Sequence, residues 1–184
     1  MRQLARLFML VALASCGGGG DSAPAPPDSA APAPASAAPA TCDISDFRAE
    51  TLRLINARRA AGADCGTGGR FGPAAAVQWD ERLEAAAAGH ALDMAENDYF
   101  DHQSRDGATV PQRVSGEGYA WTTVGENIAA GQRSIAQVVD GWMDSDSHCV
   151  NMMDPRFRDI GMACASDAGS TYGRYWVLDL AAPR

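Results

Sequence analysis

Residues 17–41 set the first limit on how this chain can fold. The segment opens with four glycines and continues almost entirely in alanine, proline and serine. It has few apolar side chains to bury, so burial cannot offset the entropy that ordering the segment would cost. Proline-rich chain favours an extended form of about 3.1 Å per residue. We therefore expect a spacer here, followed by one folded domain over residues 42–184.

The residues before this spacer have the pattern of an export signal. Two arginines precede an apolar run at 7–13, which is much shorter than the roughly 20 residues that a helix needs to cross a bilayer. The run leads into the sequence LASC at 13–16, which resembles the lipobox of bacterial lipoprotein signals. In that family the chain is cut before the cysteine, whose acyl chains then anchor the protein to a membrane.

The lipobox resemblance predicts a signal peptide over 1–15 and a region 16–41 that begins with a lipidated Cys16. The protein would then be anchored outside the cytoplasm, on a bacterial membrane, at its periplasmic face or at the cell surface. The alternative is an ordinary cleaved signal in which Cys16 is incidental.

The charge of the chain limits its partners. The formal net charge is −8 at pH 7, and all fifteen basic residues are arginine. An acidic chain is a poor partner for nucleic acid or for anionic lipid headgroups. We expect no nucleic-acid partner, and a monomer, because no oligomerisation surface stands out.

Four cysteines remain after Cys16, and all lie in the predicted domain. An even number in an exported domain predicts two disulfides. Three pairings are open, and we favour Cys42–Cys65 with Cys149–Cys164, because each joins the two ends of a local excursion. The sequence contains no C-x-x-C pair among them, so a redox or zinc-ribbon site is not indicated.

Apolar periodicity and turn residues predict an α+β fold. Asp43, Asp80 and Ser134 are expected to cap three of the helices. The predicted helices are 44–61, one that starts after Trp79, 110–116, and one that starts after Ser134. The predicted strands are 121–128, 159–165 and 172–180. Helices that pack on an antiparallel sheet give a layered α+β domain.

Two histidines and one glutamate stand out as candidate site residues. His102 lies in a polar loop, His148 follows an acid-rich run that we place in a loop, and Glu126 lies in a predicted strand. If they meet, the two imidazoles and one carboxylate suit zinc with an open coordination position, or proton transfer between His and Glu. The alternative is two solvated histidines and a capping glutamate. The third histidine, His90, is expected to be a partly buried helix residue with a hydrogen-bonded neighbour.

Several ordered motifs resemble bacterial members of the CAP superfamily. This superfamily includes the cysteine-rich secretory proteins, antigen five and the pathogenesis-related group-one plant proteins. The matching segments are LINAR at 54–58, Trp79, YFDH at 99–102, GENIAAG at 125–131, GWM at 141–143 with SH at 147–148, NMMDPRF at 151–157 and IG at 160–161.

The resemblance implies a three-layer α-β-α sandwich with a central antiparallel sheet, and a cleft in which two histidines and two acidic residues gather. By position the first three are His102, Glu126 and His148, which would hold a ligand or a divalent metal such as zinc. The second acid of the family falls at Ser145. Either the site has only three residues, or the neighbouring Asp144 or Asp146 replaces the second acid.

These features predict a binding module rather than an enzyme. We expect a membrane-tethered, non-catalytic domain whose cleft takes a divalent metal or a small apolar or lipid ligand. The alternative is a metal-assisted hydrolase of the envelope with Glu126 as its base, although neither a G-x-S-x-G nor an H-E-x-x-H motif is present. A third interpretation is a structural envelope protein whose cleft has lost its role.

Overall fold

The structure is a computed structural model that describes residues 40–184. The predicted signal peptide, Cys16 and almost all of the predicted spacer lie outside the described residues. In the part of the chain that is described, no helix is both long and apolar enough to cross a bilayer.

Helices and short strands alternate before two long closing strands. Within residues 40–184 the helices are α1 (Phe47–Ala61), α2 (Glu81–Asn97), α3 (Val110–Gly116), α4 (Ile135–Met143) and α5 (Asp146–Met153). The strands are β1 (Ala63–Asp64), β2 (Arg70–Phe71), β3 (Gln78–Trp79), β4 (Trp121–Ala130), β5 (Asp159–Ser166) and β6 (Arg174–Pro183), and a 3₁₀ turn occupies Gly66–Gly68.

The main sheet has the strand order β3-β5-β6-β4. Its long pairs, β4 with β6 and β5 with β6, are antiparallel, whereas the two-residue β3 runs parallel to β5. The strands β1 and β2 form a separate small antiparallel pair. The predicted antiparallel centre is therefore confirmed, with β3 as a parallel addition at one edge.

Both faces of the sheet carry helices. Alternate side chains of a strand point to opposite faces, and along β6 Trp176, Leu178 and Leu180 pack with α1, α4 and α5. Tyr175 and Val177 pack on the other face against the alanine-rich side of α2. This arrangement is the predicted three-layer α-β-α sandwich.

A glycine lets α2 approach the sheet. The helix starts where predicted, because the Asp80 carboxylate accepts a hydrogen bond from the backbone N–H of Arg82. A β-carbon on Gly161 of β5 would lie 2.0 Å from the backbone nitrogen of Glu84. Only glycine permits this contact, which fixes the height of α2 above the sheet and so the position of the loop that follows it.

Helix α1 begins later than predicted. It starts at Phe47 rather than at residue 44, and the prediction that Asp43 caps it is wrong. The chain instead turns at residues 42–43 and 45–46 before the helix begins, and the backbone of Cys42, Asp43 and Asp46 has positive φ. Asp46 takes the N-cap position, and its side chain makes no capping hydrogen bond.

The disulfide pairing predicted from local spacing is wrong. The structure joins Cys42 to Cys164 and Cys65 to Cys149, with Cα–Cα distances of 5.3 and 5.5 Å. Tertiary packing decides the pairing: Thr41 lies beside Cys164 in a parallel bridge, and the N–H of Cys42 donates to the Cys164 carbonyl. The 122- and 84-residue separations make both links long-range.

Candidate functional site

Glu126 is the centre of the candidate site. It lies in β4 with its side chain 1% exposed. One carboxylate oxygen, Oε1, lies 2.7 Å from Nδ1 of His102, and the other, Oε2, accepts a hydrogen bond of 2.5 Å from Nη2 of Arg113. The structure therefore brings the predicted His102 and Glu126 into direct contact. It also adds an arginine that sequence reasoning did not identify.

Arg113 ties the His102 loop to the sheet. Its other terminal nitrogen, Nη1, donates to the backbone carbonyls of His102 and Ala108, at 3.0 and 3.1 Å, and to Oγ of Ser104 at 3.1 Å. The arginine sits on α3, which a capping box between Thr109 and Gln112 starts. No motif marks Arg113 in the sequence, because its role depends on how α3 docks against β4.

A second buried carboxyl, Asp179, lies directly opposite Glu126 on the neighbouring strand β6. Asp179 is fully buried, and within the described residues neither of its carboxyl oxygens has a hydrogen-bond partner. Burial, and then the nearby charge of Glu126, raise the pKa of Asp179 well above its usual range. The one sequence signal for this residue is an acid inside an otherwise apolar strand.

The two predicted site histidines differ in their protonation tendencies. The hydrogen bond to Glu126 raises the pKa of the half-exposed His102. Burial, and then the charge of His102, lower the pKa of His148. His102 thus favours the cationic form next to a carboxylate, while His148 favours the neutral form.

The prediction that His148 lies in a loop is wrong. It lies in α5, and only two residues separate this helix from the end of α4. Tertiary contacts hold this eight-residue helix in place: Met152 and Met153 are fully buried, and Cys149 is linked to Cys65. An acid-rich start made the segment resemble a solvated loop.

Neither neighbouring acid replaces the missing second acid. Within residues 40–184, Asp144 makes no side-chain hydrogen bond to the cleft residues and lies exposed at the end of α4. The carboxylate of Asp146 instead accepts from the backbone N–H of Thr67 at 2.9 Å and from its hydroxyl. Asp146 therefore anchors the 3₁₀ turn to α5, away from the cleft.

The cleft donors do not fit a divalent metal as they stand. Both oxygens of Glu126 are engaged by His102 and Arg113, and Arg113 brings a positive charge against the carboxylate. In the described part of the chain, no group of three or more His, Cys, Asp or Glu side chains is arranged to hold a metal ion.

An open groove lies beside His148, with a volume of about 370 Å³. Its rim carries Phe100 and Tyr172, which are 42% and 50% exposed and whose ring centres are 5.9 Å apart. Oε1 of Gln132, another lining residue, is buried and has no hydrogen-bond partner within residues 40–184. The apolar floor and polar wall include Ile128, Val138, Gly141, Trp142, Ser145 and His148.

Helix side chains cover part of the outer edge of β4 next to the groove. Nε1 of Trp142 donates to the carbonyl of Ile128 at 3.1 Å, and Nδ2 of Asn151 donates to that of Glu126 at 3.2 Å. Side chains thus satisfy an edge that would otherwise be open to pairing with another strand.

The comparisons with known proteins agree on the family. A family model described as "CAP: Cysteine-rich secretory protein family" matches residues 52–180. YkwD, an uncharacterised protein of Bacillus subtilis (strain 168), is 35% identical over 101 residues, which are 55% of this chain and 39% of that protein. This chain spans well under half the length of the curated relatives it matches.

Solved structures share the fold at low identity. An extracellular protein with an SCP domain from Bacillus anthracis str. Ames has a TM-score of 0.59 and 23% identity, over 73% of this chain and 40% of that chain. An outer surface protein from Borrelia burgdorferi has a TM-score of 0.53 and 22% identity, over 59% of this chain and 78% of that chain.

Proposed function

Because this chain belongs to the cysteine-rich secretory protein family, we propose that its cleft is a non-catalytic ligand-binding site that works outside the cytoplasm. The observation that carries the proposal is the groove beside His148, where an apolar floor, two exposed aromatic rings and a buried acceptor without a partner meet. Pockets that bind small molecules combine apolar walls with a few placed polar groups in this way.

The groove suits a small ligand with an apolar body and a hydrogen-bond donor at one end, a class that includes lipid-like molecules. The rings of Phe100 and Tyr172 are already exposed to solvent, so a ligand can cover their apolar area without any local unfolding of the protein. Gln132 Oε1 offers an acceptor that a donor on the ligand would satisfy. The neutral form of His148 avoids placing a buried charge beside an apolar ligand.

Binding has more support than hydrolysis at this cleft. A general base must lie within reach of the proton it takes, and the Glu126 side chain is 1% exposed, with its two oxygens already against His102 and Arg113. The same contacts argue against Glu126 as a metal ligand. The His102–Glu126–Arg113 network supports a structural role, in which it holds one wall of the cleft in place.

The groove can be blocked without strain. Gly141 lines it on α4, and a β-carbon there would meet no atom within 4 Å. We expect the probe 1-anilinonaphthalene-8-sulfonate to bind the wild-type protein saturably and Gly141→Leu to weaken that binding at least tenfold. Gly116→Leu, at an equally open position on α3, is the matched control and should bind like the wild type. Equal binding by all three proteins would contradict the proposal.

The proposed site of action is a bacterial membrane surface, with the lipid anchor at Cys16. Two disulfides are typical of proteins that fold in an oxidising compartment outside the cytoplasm. The name of the Borrelia relative also describes that protein as an outer surface protein.

The anchor can be tested by metabolic labelling with an alkyne-bearing palmitate. We expect the full-length wild type to carry the label. Cys16→Ser should lose the label and be released into the soluble fraction, whereas the control Ser15→Ala should keep the label. A label that persists in Cys16→Ser would exclude this anchor.

A further inference from the structure

A second pocket is lined by residues of α2, of the loop 104–108 and of α3. Its volume is about 370 Å³, and it shares no lining residue with the groove beside His148. The lining residues that matter here are Asp93, Asn97, Ser104, Arg105, Asp106 and Arg113. The proposed function makes no use of this pocket.

A hydroxyl and an imidazole meet at this pocket. Oγ of Ser104 lies 3.2 Å from Nδ1 of His90, and Nε2 of the same ring lies 2.9 Å from the carbonyl oxygen of Asp101. A carbonyl oxygen can only accept, so Nε2 carries the proton and Nδ1 is left with a free lone pair. His90 is 1% exposed, and its pKa is lowered, first by burial, so it is neutral at pH 7.

Arg113 supplies a positive charge at the same point. Its Nη1 donates to Oγ of Ser104 at 3.1 Å, on the hydroxyl oxygen that already faces His90. The Ser104 backbone is held by hydrogen bonds to the Ala108 carbonyl and from the Gly107 N–H. The hydroxyl therefore sits between a base and a cation, on a loop whose backbone is fixed.

We propose that Ser104 is a nucleophile for acyl transfer, with His90 as its general base, and that this pocket takes small carboxylic esters. Nucleophile and base lie within hydrogen-bond reach, and a third group orients the base, which is the arrangement that activates a serine. Six of the eight lining residues have polar or charged side chains, with both signs of charge, which suits a short polar ester rather than a long acyl chain.

The reaction proceeds in two steps. Oγ of Ser104 forms a bond to the ester carbonyl carbon while its proton passes to Nδ1 of His90, and the carbonyl oxygen takes on a negative charge near the guanidinium of Arg113, which contacts Oγ. The bond to the alcohol oxygen then breaks, and that oxygen takes the proton from His90. Water attacks the acyl carbon in the second step, gives a proton to His90, and releases the carboxylic acid as that proton returns to Oγ.

The experiment exposes the purified full-length protein to a fluorophosphonate probe and maps the adduct by mass spectrometry. We expect one adduct, on Ser104, with no adduct in Ser104→Ala and labelling at least 100-fold slower in His90→Gln. Gly72→Ala, at an exposed position where a β-carbon would meet no atom within 4 Å, is the control and should label like the wild type. In parallel, 4-nitrophenyl acetate should give a burst of about one nitrophenolate per protein.

The fold of each variant is checked by its thermal midpoint. If His90→Gln does not fold, the Ser104→Cys variant replaces it: its new thiol should react with iodoacetamide faster than free cysteine, because the same base and cation face it. A folded wild type that gives no adduct on Ser104, or equal labelling of wild type and His90→Gln, would overturn the proposal. Loss of probe binding at the His148 groove would bear on the proposed function alone.

Discussion

Glu126 and Asp179 lie opposite each other on β4 and β6, so two carboxyl groups share one buried compartment with a single guanidinium, that of Arg113. Two neighbouring carboxyl groups repel each other when both are ionised, so it is unfavourable for both to be ionised at once. Arg113 and His102 contact Glu126, while Asp179 has no hydrogen-bond partner in residues 40–184. Burial and the nearby Glu126 therefore favour the neutral form of Asp179, whose pKa is raised.

Asp179→Asn should remove a pH-dependent loss of stability. The pKa of Asp179 is raised in the folded protein, so the unfolded chain releases this proton first, and stability falls as pH rises above about 3.9, the usual carboxyl value. The amide does not titrate. We expect the free energy of unfolding of the variant, relative to that of the wild type, to increase as pH rises. The increase is up to about 1.4 kcal/mol per pH unit, until Asp179 ionises in the folded wild type. Urea unfolding at several pH values measures this, and parallel curves would contradict it.

Glu126→Gln should lower the pKa of His102. The Glu126 carboxylate is the main cause of the raised pKa of that imidazole. In the wild type this pair stabilises the fold below pH 6.5, and the contribution is lost as pH rises through the raised pKa of His102. NMR titration of the His102 ring protons measures the shift, and Asp179→Asn is the control that should leave His102 raised. An unchanged His102 pKa in Glu126→Gln would show that the pair does not form.

Each disulfide should stabilise the domain strongly. Cys42–Cys164 and Cys65–Cys149 close long loops, and in the chain-entropy model a loop of about 100 residues is worth about 4.7 kcal/mol. We expect the Cys42→Ala/Cys164→Ala and Cys65→Ala/Cys149→Ala pairs to lose roughly 2–5 kcal/mol each in denaturant unfolding. Peptide mapping without reductant should recover these two links, and finding Cys42 joined to Cys65 would refute the pairing.

Gly161 and Gly89 should respond to alanine in opposite directions. The β-carbon on Gly161 would overlap the backbone of α2, so Gly161→Ala should destabilise the domain by about 3 kcal/mol or more, the upper end of overpacking costs. Gly89 is an exposed residue inside α2, and a β-carbon there meets no atom within 4 Å. Gly89→Ala should therefore stabilise by roughly 0.5–1 kcal/mol. Thermal unfolding compares the two, and similar midpoints would contradict the packing described here.

Local sequence patterns predicted much of the fold. The Asp80 cap, the helix after Ser134 and the two closing strands β5 and β6 depend on neighbouring residues, and all three predictions are confirmed. The predicted start of α1 was wrong because contacts with β5 hold Thr41 and Cys42 beside Cys164, and no local pattern encodes these contacts.

The site was predictable only in part. The family resemblance identified His102 and Glu126, and the structure joins them directly. Arg113 and Asp179 could not be found in this way, because their importance comes from docking across α3 and from strand register. The predicted disulfide pairing was wrong for the same reason, since closeness in sequence says little about which cysteines a tertiary fold brings together.

The link between Cys42 and Cys164 also decides where the domain bears mechanical load. Any pull on the chain before Ala40 reaches Thr41 and Cys42 first, and from there passes through a covalent bond into β5, which lies between β3 and β6. Helix α1 begins after that junction, so tension does not unwind it from its end. In a domain held by its N-terminal segment, a pulling force would therefore act on an interior strand of the sheet. The helices around the His148 groove would not carry that force.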